Sequence, residues 1–310
     1  MRLDRASLTR SCLMATAGLA LTFTSSTLAQ LLAYDGFGNG PLADLAGSTG
    51  GTGWAGPWAD SGDTIMSVYG DGLTYPNLLT TPGQAVTLPN NDSAYPIARY
   101  ERLLPSLPVG TSKLYVSFLI RPEDNYGSFG GLQFGNYPYA MSVGFPMGWY
   151  SLGLMVSEGL GDASNVDLIA GETYFVVCKI SKNTPSNGLT YRLFYGPAVG
   201  STEPNFPLCQ YAVPAPNTLP TVLRINNQPG FGELPGFSVD EVRVGTTWAS
   251  VMPPAPPPCP GDLNHDGMVD AADLASLLGA WGSAAGDLNA DGTTNAADLS
   301  ILLGYWGSCG

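Results

Sequence analysis

The sequence predicts a mainly β protein in two parts, an antiparallel β-sandwich over residues 30–252 and a small helical module over residues 261–310. Three observations support this division. Turn-forming residues are abundant, with 40 glycines and 26 prolines. Between them, short alternations of apolar and polar residues recur up to about residue 250, as is typical of strands with one buried face. Beyond residue 260 the alternation is replaced by a phrase that occurs twice.

Residues 1–29 have the composition of an export signal. Arg2, Arg5 and Arg10 accompany the apolar run CLMATAGLALTF, which is too short to cross a bilayer. Small residues follow the run, so we expect cleavage near Ala29. A secreted or cell-surface protein with no transmembrane segment in its mature chain is therefore predicted. The net charge of −13 disfavours a nucleic-acid partner, because a phosphate backbone requires a basic surface.

The sandwich is predicted from apolar residues that alternate with polar ones in several segments. In KLYVSFLIRPED, which begins at residue 113, one face carries Leu114, Val116, Phe118 and Ile120. In LTYRLFYGP, which begins at residue 189, one face carries Leu189, Tyr191, Leu193 and Tyr195. No long helical period interrupts this pattern. Two antiparallel sheets with about 10 to 14 strands in total would allow each strand to bury one face.

The segment MPPAPPPCP, residues 252–260, marks the boundary between the two parts. Consecutive prolines favour polyproline II, so residues 253–260 are predicted to form a stiff linker. The phrase GDLNHDGMVDAADLASLLGAWG then starts at Gly261, and a near-copy, GDLNADGTTNAADLSILLGYWG, starts at Gly286. Such a repeat indicates two copies of one small structural unit.

Oxygen-bearing residues in each copy follow the spacing of an EF-hand calcium loop. Alternate residues of the curled loop point inward, glycine at position 6 permits the turn, and position 7 contributes its backbone carbonyl. The predicted ligands of the first ion are Asp262, Asn264, Asp266, Met268, Asp270 and Asp273. Those of the second are Asp287, Asn289, Asp291, Thr293, Asn295 and Asp298. The sequence has no Lys or Arg after Arg243, so two bound Ca²⁺ ions would supply the missing counter-charge.

A short apolar stripe follows each loop and predicts a helix. The stripes consist of Leu274, Leu277 and Leu278 in the first copy and of Leu299, Leu302 and Leu303 in the second. Gly279 and Gly304 are expected to end these helices early. The pattern leaves two interpretations for Trp281 and Trp306, which follow the helices. They either cap the small core, which we favour, or form an exposed contact surface.

With its duplicated loops and short helices, the segment 260–310 resembles a type I dockerin. The resemblance implies a module that folds on two Ca²⁺ ions and binds a cohesin domain of another protein. In dockerins, positions 10 and 11 of each loop contact the cohesin. The residues at these positions are Ala271, Ala272, Ala296 and Ala297. The resemblance therefore identifies the four alanines as partner-binding residues, although the hydroxyl pair common there in the family is absent.

The two ends of the large region resemble the first and last strands of a concanavalin A-like, laminin-G-like jelly roll. They are LLAYDGFGNGPLADLAGSTGGTGWAGPW, from residue 31, and VDEVRVGTTWASV, from residue 239. The resemblance implies that both ends pair in one sheet, and that a concave sheet face or its rim loops bind glycans or proteins. Aromatic residues of Gly- or Pro-rich segments are the candidates for glycan contact: Trp149, Tyr126, Tyr137 and Tyr139. Trp54 and Trp58 lie in a similar segment but are interpreted as structural.

Four cysteines follow the predicted cleavage position: Cys178, Cys209, Cys259 and Cys309. An even number in an oxidising compartment favours two disulfides. Cys259 and Cys309 flank the doubled phrase, so we expect them to pair across the module and Cys178 to pair with Cys209. Four cysteines allow about three pairings, and this one is chosen from the layout alone.

Candidate catalytic residues are few. Retaining glycosidases need two carboxylates about 5 Å apart, and on a fold of this kind these usually form a Glu-x-Asp-x-x-Glu string, which this sequence lacks. Glu123 with Asp124, and Asp240 with Glu241, are neighbours whose side chains should point to opposite faces of a strand. The single histidine, His265, occupies a non-ligand position of the first calcium loop, which excludes a Ser-His-Asp triad and a histidine zinc site.

The sequence therefore predicts a non-catalytic recognition domain tethered to a calcium-dependent docking module, with a role in extracellular polysaccharide binding or catabolism. Its expected partners are a cohesin-like domain and a polysaccharide or glycoprotein. Two alternatives remain open. One is a glycoside hydrolase that is docked by the same module, and the other is a structural or adhesive protein of the cell surface.

Overall fold

The structure is a computed structural model, and it describes residues 30–308 with several gaps. The residues outside the description are 1–29, 39, 43, 63–64, 77, 79, 82, 88–97, 124–128, 146–150, 157–158, 160, 229–236, 253–258, 265, 290 and 309–310. The predicted export signal and most of the predicted linker therefore lie outside the described residues. No helix of the described part is long and apolar enough to span a bilayer.

Short strands make up most of the regular structure before residue 246. In chain order they are β1 (Leu31–Asp35), β2 (Ala59–Asp60), β3 (Met66–Tyr69), β4 (Gln84–Thr87), β5 (Ala98–Leu103), β6 (Lys113–Pro122), β7 (Phe129–Phe134), β8 (Met141–Phe145), β9 (Ser151–Val156), β10 (Gly161–Asp167), β11 (Tyr174–Lys182), β12 (Leu189–Tyr195), β13 (Cys209–Val213), β14 (Val222–Gln228) and β15 (Phe237–Gly245). A single helical turn, α1 (Trp248–Val251), follows β15.

These strands form two antiparallel sheets. The order in the eight-stranded sheet is β13-β12-β11-β6-β15-β4-β3, with β1 also paired to β15. The order in the seven-stranded sheet is β10-β9-β8-β7-β14-β5-β2. The predicted antiparallel sandwich is confirmed, but its two sheets contain fifteen strands in the described residues rather than 10 to 14. The shortest, such as the two-residue β2, are too short to show a countable alternation.

The main hydrophobic core lies between the two sheets. The predicted inward face of β6 is confirmed, because Leu114, Val116, Phe118 and Ile120 are all 0% exposed in this core. On β12, Leu189, Tyr191 and Leu193 also belong to the core. Tyr195 does not, since it is 41% exposed at the end of the strand. The alternation therefore predicts the buried face correctly except where the strand leaves the sheet.

A second apolar layer covers the outer face of the eight-stranded sheet. Tyr115, Leu119 and Phe175 point away from the main core and are buried beneath α1 and nearby loops. Trp248 of α1 donates a hydrogen bond from its indole Nε1 to the backbone oxygen of Ser201, 2.7 Å away. Central strands of this sheet are thus buried on both faces, which explains why β6 is buried along nearly its whole length.

The two ends of the large region pair directly. Tyr34 of β1 lies opposite Arg243 of β15 in an antiparallel register, as the resemblance implies. Trp58 is 1% exposed and donates from its indole Nε1 to Asp35 Oδ2 at 2.9 Å. The guanidinium of Arg102 forms a buried ion pair with the same carboxylate. The interpretation of Trp58 as a structural residue is therefore confirmed.

The predicted disulfide between Cys178 and Cys209 is wrong, because both are free, buried thiols. Cys178 of β11 lies opposite Leu193 of β12, and Leu193 in turn lies opposite Cys209 of β13. Two strand spacings place the cysteine Cα atoms about 9–10 Å apart, beyond the roughly 7 Å limit of a disulfide. Cys259 is disulfide-bonded. Its predicted partner Cys309 lies outside the described residues, so that pairing stays a prediction.

The C-terminal module contains two helices of nine residues, α2 (Ala271–Gly279) and α3 (Ala296–Gly304). Both end at the predicted glycines. The module is not all-α, however, because β16 (Met268–Val269) pairs with β17 (Gly307–Ser308). The extended end of the first loop meets the segment that follows the second helix, which ties the two repeats together.

Candidate metal centres in the C-terminal module

The first repeat forms a tight loop, residues 262–273, which we call loop 1. Its turns are built from side-chain oxygens that accept hydrogen bonds from backbone N–H groups. Asp262 accepts from Asp266 N at 3.2 Å and from Gly267 N at 3.0 Å. Asn264 Oδ1 accepts from Asp266 N at 3.0 Å, and Asp266 Oδ1 accepts from Met268 N at 2.9 Å. The side chains at positions 1, 3 and 5 therefore all turn into the loop.

Gly267, at position 6, has a backbone φ of 88°. This left-handed conformation favours glycine, because a side chain would be strained there. Gly292 occupies the equivalent place in the second repeat with a φ of 93°. The turn that the sequence assigns to position 6 is thus present in both loops.

Asp273 closes loop 1 from the start of α2. Asp270 and Asp273 form a capping box, in which Asp270 Oδ1 accepts from Ala272 N and Asp273 Oδ2 accepts from Asp270 N. Asp273 Oδ1 accepts from Leu263 N at 2.8 Å and from Asn264 N at 3.1 Å. Burial raises the pKa of the Asp273 carboxyl, but these backbone donors outweigh it and hold the pKa below its ordinary value. The carboxyl is therefore ionised, as a calcium ligand must be.

Three carboxylates of loop 1 converge. Asp262, Asp266 and Asp273 each offer one oxygen, and these oxygens lie within 4.8 Å of one another. Such a cluster suits a hard cation that takes several oxygen ligands. Asn264 Nδ2 donates to Asp266 Oδ2 at 2.9 Å, so its amide also lies at this cluster. The oxygen-only donor set fits Ca²⁺ better than a metal that prefers nitrogen or sulfur ligands.

The second repeat, residues 287–298, forms loop 2 with nearly the same contacts. Asp287 accepts from Asp291 N at 3.1 Å and from Gly292 N at 2.6 Å. Asp298, which is 0% exposed, accepts from the backbone N–H groups of Leu288, Asn289 and Asn295. Burial raises the pKa of Asp298, but these donors lower it below its ordinary value. The repeated sequence therefore produces a repeated arrangement of oxygens.

The two loops differ at position 9. In loop 1 this residue is Asp270, whereas loop 2 has Asn295. Asn295 donates from Nδ2 to the backbone oxygen of Thr293 at 2.9 Å. Thr293 is the residue whose carbonyl is the predicted ligand at position 7. Loop 2 thus has one carboxylate fewer than loop 1. In addition, its predicted ligand oxygen at position 7 already accepts a hydrogen bond.

The predicted partner-binding residues lie at the surface. Ala271, Ala272, Ala296 and Ala297 are all exposed at the first turns of the two helices. In the stripes, Leu277 and Leu302 are buried and Leu274 and Leu299 pack against them. Leu278 and Leu303 are 51% and 52% exposed, so only part of each predicted apolar stripe is buried.

The interpretation of Trp281 and Trp306 that we favoured, in which they cap the small core, is wrong. Trp281 and Trp306 are 49% and 50% exposed and do not belong to the buried core of the module. Instead, the two tryptophans, like Leu278 and Leu303, are apolar side chains at the module surface. The observed exposure agrees with the alternative interpretation, and a contact of this surface with a partner stays a prediction.

The predicted glycan-contact residues are described only in part. Trp149 and Tyr126 lie outside the described residues. Tyr137 is 76% exposed, whereas Tyr139 is half-buried and packs against the sandwich core. The described residues therefore leave Tyr137 as an accessible ring and give Tyr139 a packing role.

The described members of the two adjacent acidic pairs are engaged in hydrogen bonds with other residues. Glu123 accepts hydrogen bonds from Arg121 and from the Ser238 hydroxyl, and Asp124 lies outside the description. Glu241 has a φ of 53° at an irregularity of β15, so it is buried with Asp240 rather than turned to the opposite surface. It accepts from Tyr34 Oη at 2.9 Å and from Thr81 N at 2.7 Å. Glu123, Asp240 and Glu241 therefore each have a structural partner among the described residues.

Asp240 is fully buried. Desolvation raises its pKa to about 8, with a smaller contribution from the neighbouring charge of Glu241, although the N–H of Leu73 acts in the opposite direction. That N–H lies 2.8 Å from Asp240 Oδ2. A buried carboxyl of this kind could be recognised only from the tertiary structure, since the sequence shows merely an acidic pair.

A polar row on the outer face of the seven-stranded sheet was not predicted. Residues paired across four strands occupy one row, in the order Glu101, Arg224, Gln133 and Ser142. Arg224 Nε donates to Glu101 Oε2 at 2.9 Å, and Gln133 Nε2 donates to Ser142 Oγ at 3.2 Å. The neighbouring row on the same face contains Asn226, Gly131, Gly144 and Gly153. Ser142, Asn226 and the three glycines are buried, so the accessible part of this face is limited to the partly exposed side chains of Glu101, Arg224 and Gln133.

Comparison with known proteins yields no family model that matches the chain and no match among curated proteins. Among solved structures, the chain is similar to an endo-1,3-beta-glucanase from Streptomyces sioyaensis, with 12% identity, a TM-score of 0.44 and coverage of 71% of this chain and 96% of that one. It is also similar to domain 4 of AbnA, an extracellular arabinanase from Geobacillus stearothermophilus solved with arabinotriose, with 19% identity, a TM-score of 0.42 and coverage of 72% and 97%. These similarities assign neither a ligand nor an activity to this chain.

Proposed function

We propose that this protein is an exported, non-catalytic recognition protein whose C-terminal module binds two Ca²⁺ ions and docks to a partner protein. The observation that carries the proposal is the convergence of the Asp262, Asp266 and Asp273 carboxylates within 4.8 Å, on a loop whose contacts recur in the second repeat. Three negative groups at this distance repel one another unless a cation lies between them.

The module's small core also supports a structural role for the metal. Its buried apolar residues are Val269, Leu277 and Leu302, which is too little to stabilise a unit of this size by burial alone. Bound Ca²⁺ would tie each loop to the start of the helix that follows it, through Asp273 and Asp298. Folding of the module is therefore coupled to metal binding.

The docking role rests on the surface that the two repeats expose. The four alanines at positions 10 and 11 leave room for close approach of a partner, and Leu278, Trp281, Leu303 and Trp306 add apolar area. Exposed apolar side chains of this size are enriched in protein interfaces. The resemblance to dockerins makes a cohesin-like domain the partner to test first.

The sandwich would supply recognition of a glycan or glycoprotein. Its support is the partly exposed polar group of Glu101, Arg224 and Gln133, because planar amide and guanidinium groups pair well with hydroxyl-rich ligands. A glycoside hydrolase is the second candidate. It would need a carboxylate pair, and within the described residues Glu123, Asp240 and Glu241 all have structural partners.

Calorimetric titration of the full chain with Ca²⁺ tests the metal sites. We expect two ions per molecule, one after Asp262→Ala, one after Asp287→Ala, and none after both changes. Asp167→Ala removes an exposed carboxylate outside the loops and serves as the control, with two ions expected. Fewer than two ions in the unaltered protein would refute the proposed sites.

Two further assays separate the proposed roles. A pull-down with a cohesin-like domain, with and without chelator, tests docking, and we expect capture only in the presence of calcium. Incubation with a panel of polysaccharides tests catalysis by measuring released reducing ends. Release of reducing ends above the level in buffer alone would show that the protein is a hydrolase and would refute the non-catalytic role. A glycan array would separate recognition from a purely adhesive role.

A further inference from the structure

A cleft of about 360 Å³ opens at the edge of the sandwich, away from the row of polar side chains described above. It is lined by the segment between β5 and β6, by the end of β11 and by the segment between β13 and β14. Its lining residues are Leu107, Pro108, Gly110, Thr111, Ser112, Lys182, Thr218 and Leu219. Its volume falls within the roughly 300–1,000 Å³ that is usual for small-ligand sites.

The cleft combines an apolar floor with free polar groups. Leu219 is 5% exposed, and Leu107 packs against the main core, so both form fixed apolar walls. The hydroxyl of Thr111 donates to Pro108 O at 2.6 Å and keeps its lone pairs available. No hydrogen bond from the hydroxyls of Ser112 or Thr218 is found among the described residues. These groups can therefore bind a ligand without breaking existing contacts.

Lys182 gives the cleft its charge. Among the described residues, five other basic side chains have carboxylate partners: Arg102, Arg121, Lys179, Arg224 and Arg243. No carboxylate of the described chain lies within 4.0 Å of the Lys182 ammonium. An ammonium without a partner in a protein of net charge −13 is a local positive site in a negative field.

We propose that this cleft binds the uronic acid residue of an acidic polysaccharide. Lys182 would pair with the sugar carboxylate, the hydroxyls of Ser112 and Thr218 would bond to ring hydroxyls, and Leu107 and Leu219 would contact the apolar C–H face. A neutral sugar would leave the ammonium without its ionic partner, so the cleft selects for charge. The assignment rests on the proposed glycan-binding role of the sandwich and specifies the ligand.

Calorimetric titration of the full chain with trigalacturonate and with its methyl-esterified form tests the proposal, at one calcium concentration throughout. We expect binding of the acid and at least about tenfold weaker binding of the ester, since a charged hydrogen bond is lost. Lys182→Met should weaken binding of the acid to a similar degree. Lys113→Met removes the same charge from the neighbouring strand, outside the cleft lining, and should change affinity less than about twofold.

Thr218→Val, in an exposed segment, is a second variant that perturbs the fold little and should also weaken binding of the acid. Equal binding of acid and ester, or undiminished binding by Lys182→Met, would overturn the uronate assignment while leaving glycan binding in place. Absence of binding to either form overturns the assignment. If a polysaccharide panel also shows no binding, the glycan-binding function fails as well.

Discussion

The sandwich and the C-terminal module are stabilised in different ways. The sandwich has a continuous apolar core that draws on both sheets, with a second layer under α1. The described part of the module has three buried apolar side chains, and in its first loop three carboxylates converge. We therefore expect the sandwich to fold on the hydrophobic effect alone, and the proposed metal role predicts that the module needs a cation to offset the repulsion between its carboxylates. The following predictions test this contrast.

Removal of calcium should have the largest effect, and only on the module. We expect chelation to unfold residues 261–308 while the sandwich keeps its melting temperature, because the metal-binding energy contributes to module folding. Scanning calorimetry with and without chelator measures both transitions. A module transition that does not move on chelation would contradict the contrast, and the variant with Asp262→Ala and Asp287→Ala should resemble the chelated protein.

A cavity in the sandwich core should destabilise the sandwich and leave the C-terminal module unaffected. Phe118→Ala removes a ring that is 0% exposed in the main core, and we expect the free energy of unfolding of the sandwich to fall by about 3–5 kcal/mol. Calcium stoichiometry should remain unchanged. Denaturant unfolding followed by calorimetric titration measures both quantities, and a loss of calcium binding would show that the two parts do not fold independently.

Two neighbouring leucines of α2 provide a matched pair within the module. Leu277 is 0% exposed and Leu278 is 51% exposed. Leu277→Ala should destabilise the calcium-loaded module by about 2–5 kcal/mol, and Leu278→Ala should change its stability by less than about 0.5 kcal/mol. Thermal unfolding in saturating calcium measures the difference. If Leu278 contributes to docking, its substitution should still weaken capture by the partner.

The buried carboxyl of Asp240 predicts a pH dependence that belongs to the sandwich alone. Its pKa is raised to about 8 by desolvation, so the native state holds a proton that the unfolded chain releases above its ordinary value of 3.8. The contribution of Asp240 to stability is therefore fully present below about pH 4 and falls as pH rises toward about 8, by up to about 1.4 kcal/mol per pH unit.

Asp240→Asn should flatten this dependence. The measurement is denaturant unfolding across pH in the presence of chelator, so that metal binding does not contribute. An unchanged slope in the variant would show that other groups dominate, and the neighbouring carboxyls of Glu241 and Asp35 are then the ones to replace next.

The smallest expected effect concerns the difference in calcium affinity between loop 1 and loop 2. Loop 2 has Asn295 where loop 1 has Asp270, and the Asn295 amide engages the Thr293 carbonyl. Asn295→Asp should raise the calcium affinity of loop 2 by about three- to tenfold, because it adds a carboxylate and frees that carbonyl. Titration of the variant measures it, and equal or lower affinity would exclude this account of the difference.

Local patterns in the sequence predicted the parts that depend on local chemistry. The glycine ends of both helices, the turn at Gly267 and the inward side chains at loop positions 1, 3 and 5 all occur as the repeat indicates. The buried face of β6 was equally clear, because alternation alone defines it. Each of these features is determined by residues that lie within a few positions of one another in the sequence.

The errors arose where distant segments decide the outcome. Cys178 and Cys209 are separated by the whole width of β12, which no count of cysteines can show. The exposure of Trp281 and Trp306 depends on how two short helices share a very small core. The buried state of Asp240 requires a strand irregularity and a contact with Leu73, 167 residues away.

The sequence by itself thus determined that the chain has a β-rich region followed by two loops with the residue spacing of an EF-hand, since side-chain alternation and residue spacing are properties of adjacent residues. Only the tertiary structure decided which thiols, carboxyls and aromatic rings are buried, and that Lys182 lines a cleft with unengaged hydroxyls. The physical reason is that burial and charge pairing depend on which strands become neighbours, and several neighbours in this sandwich, such as β6 with β15 and β7 with β14, come from remote parts of the chain.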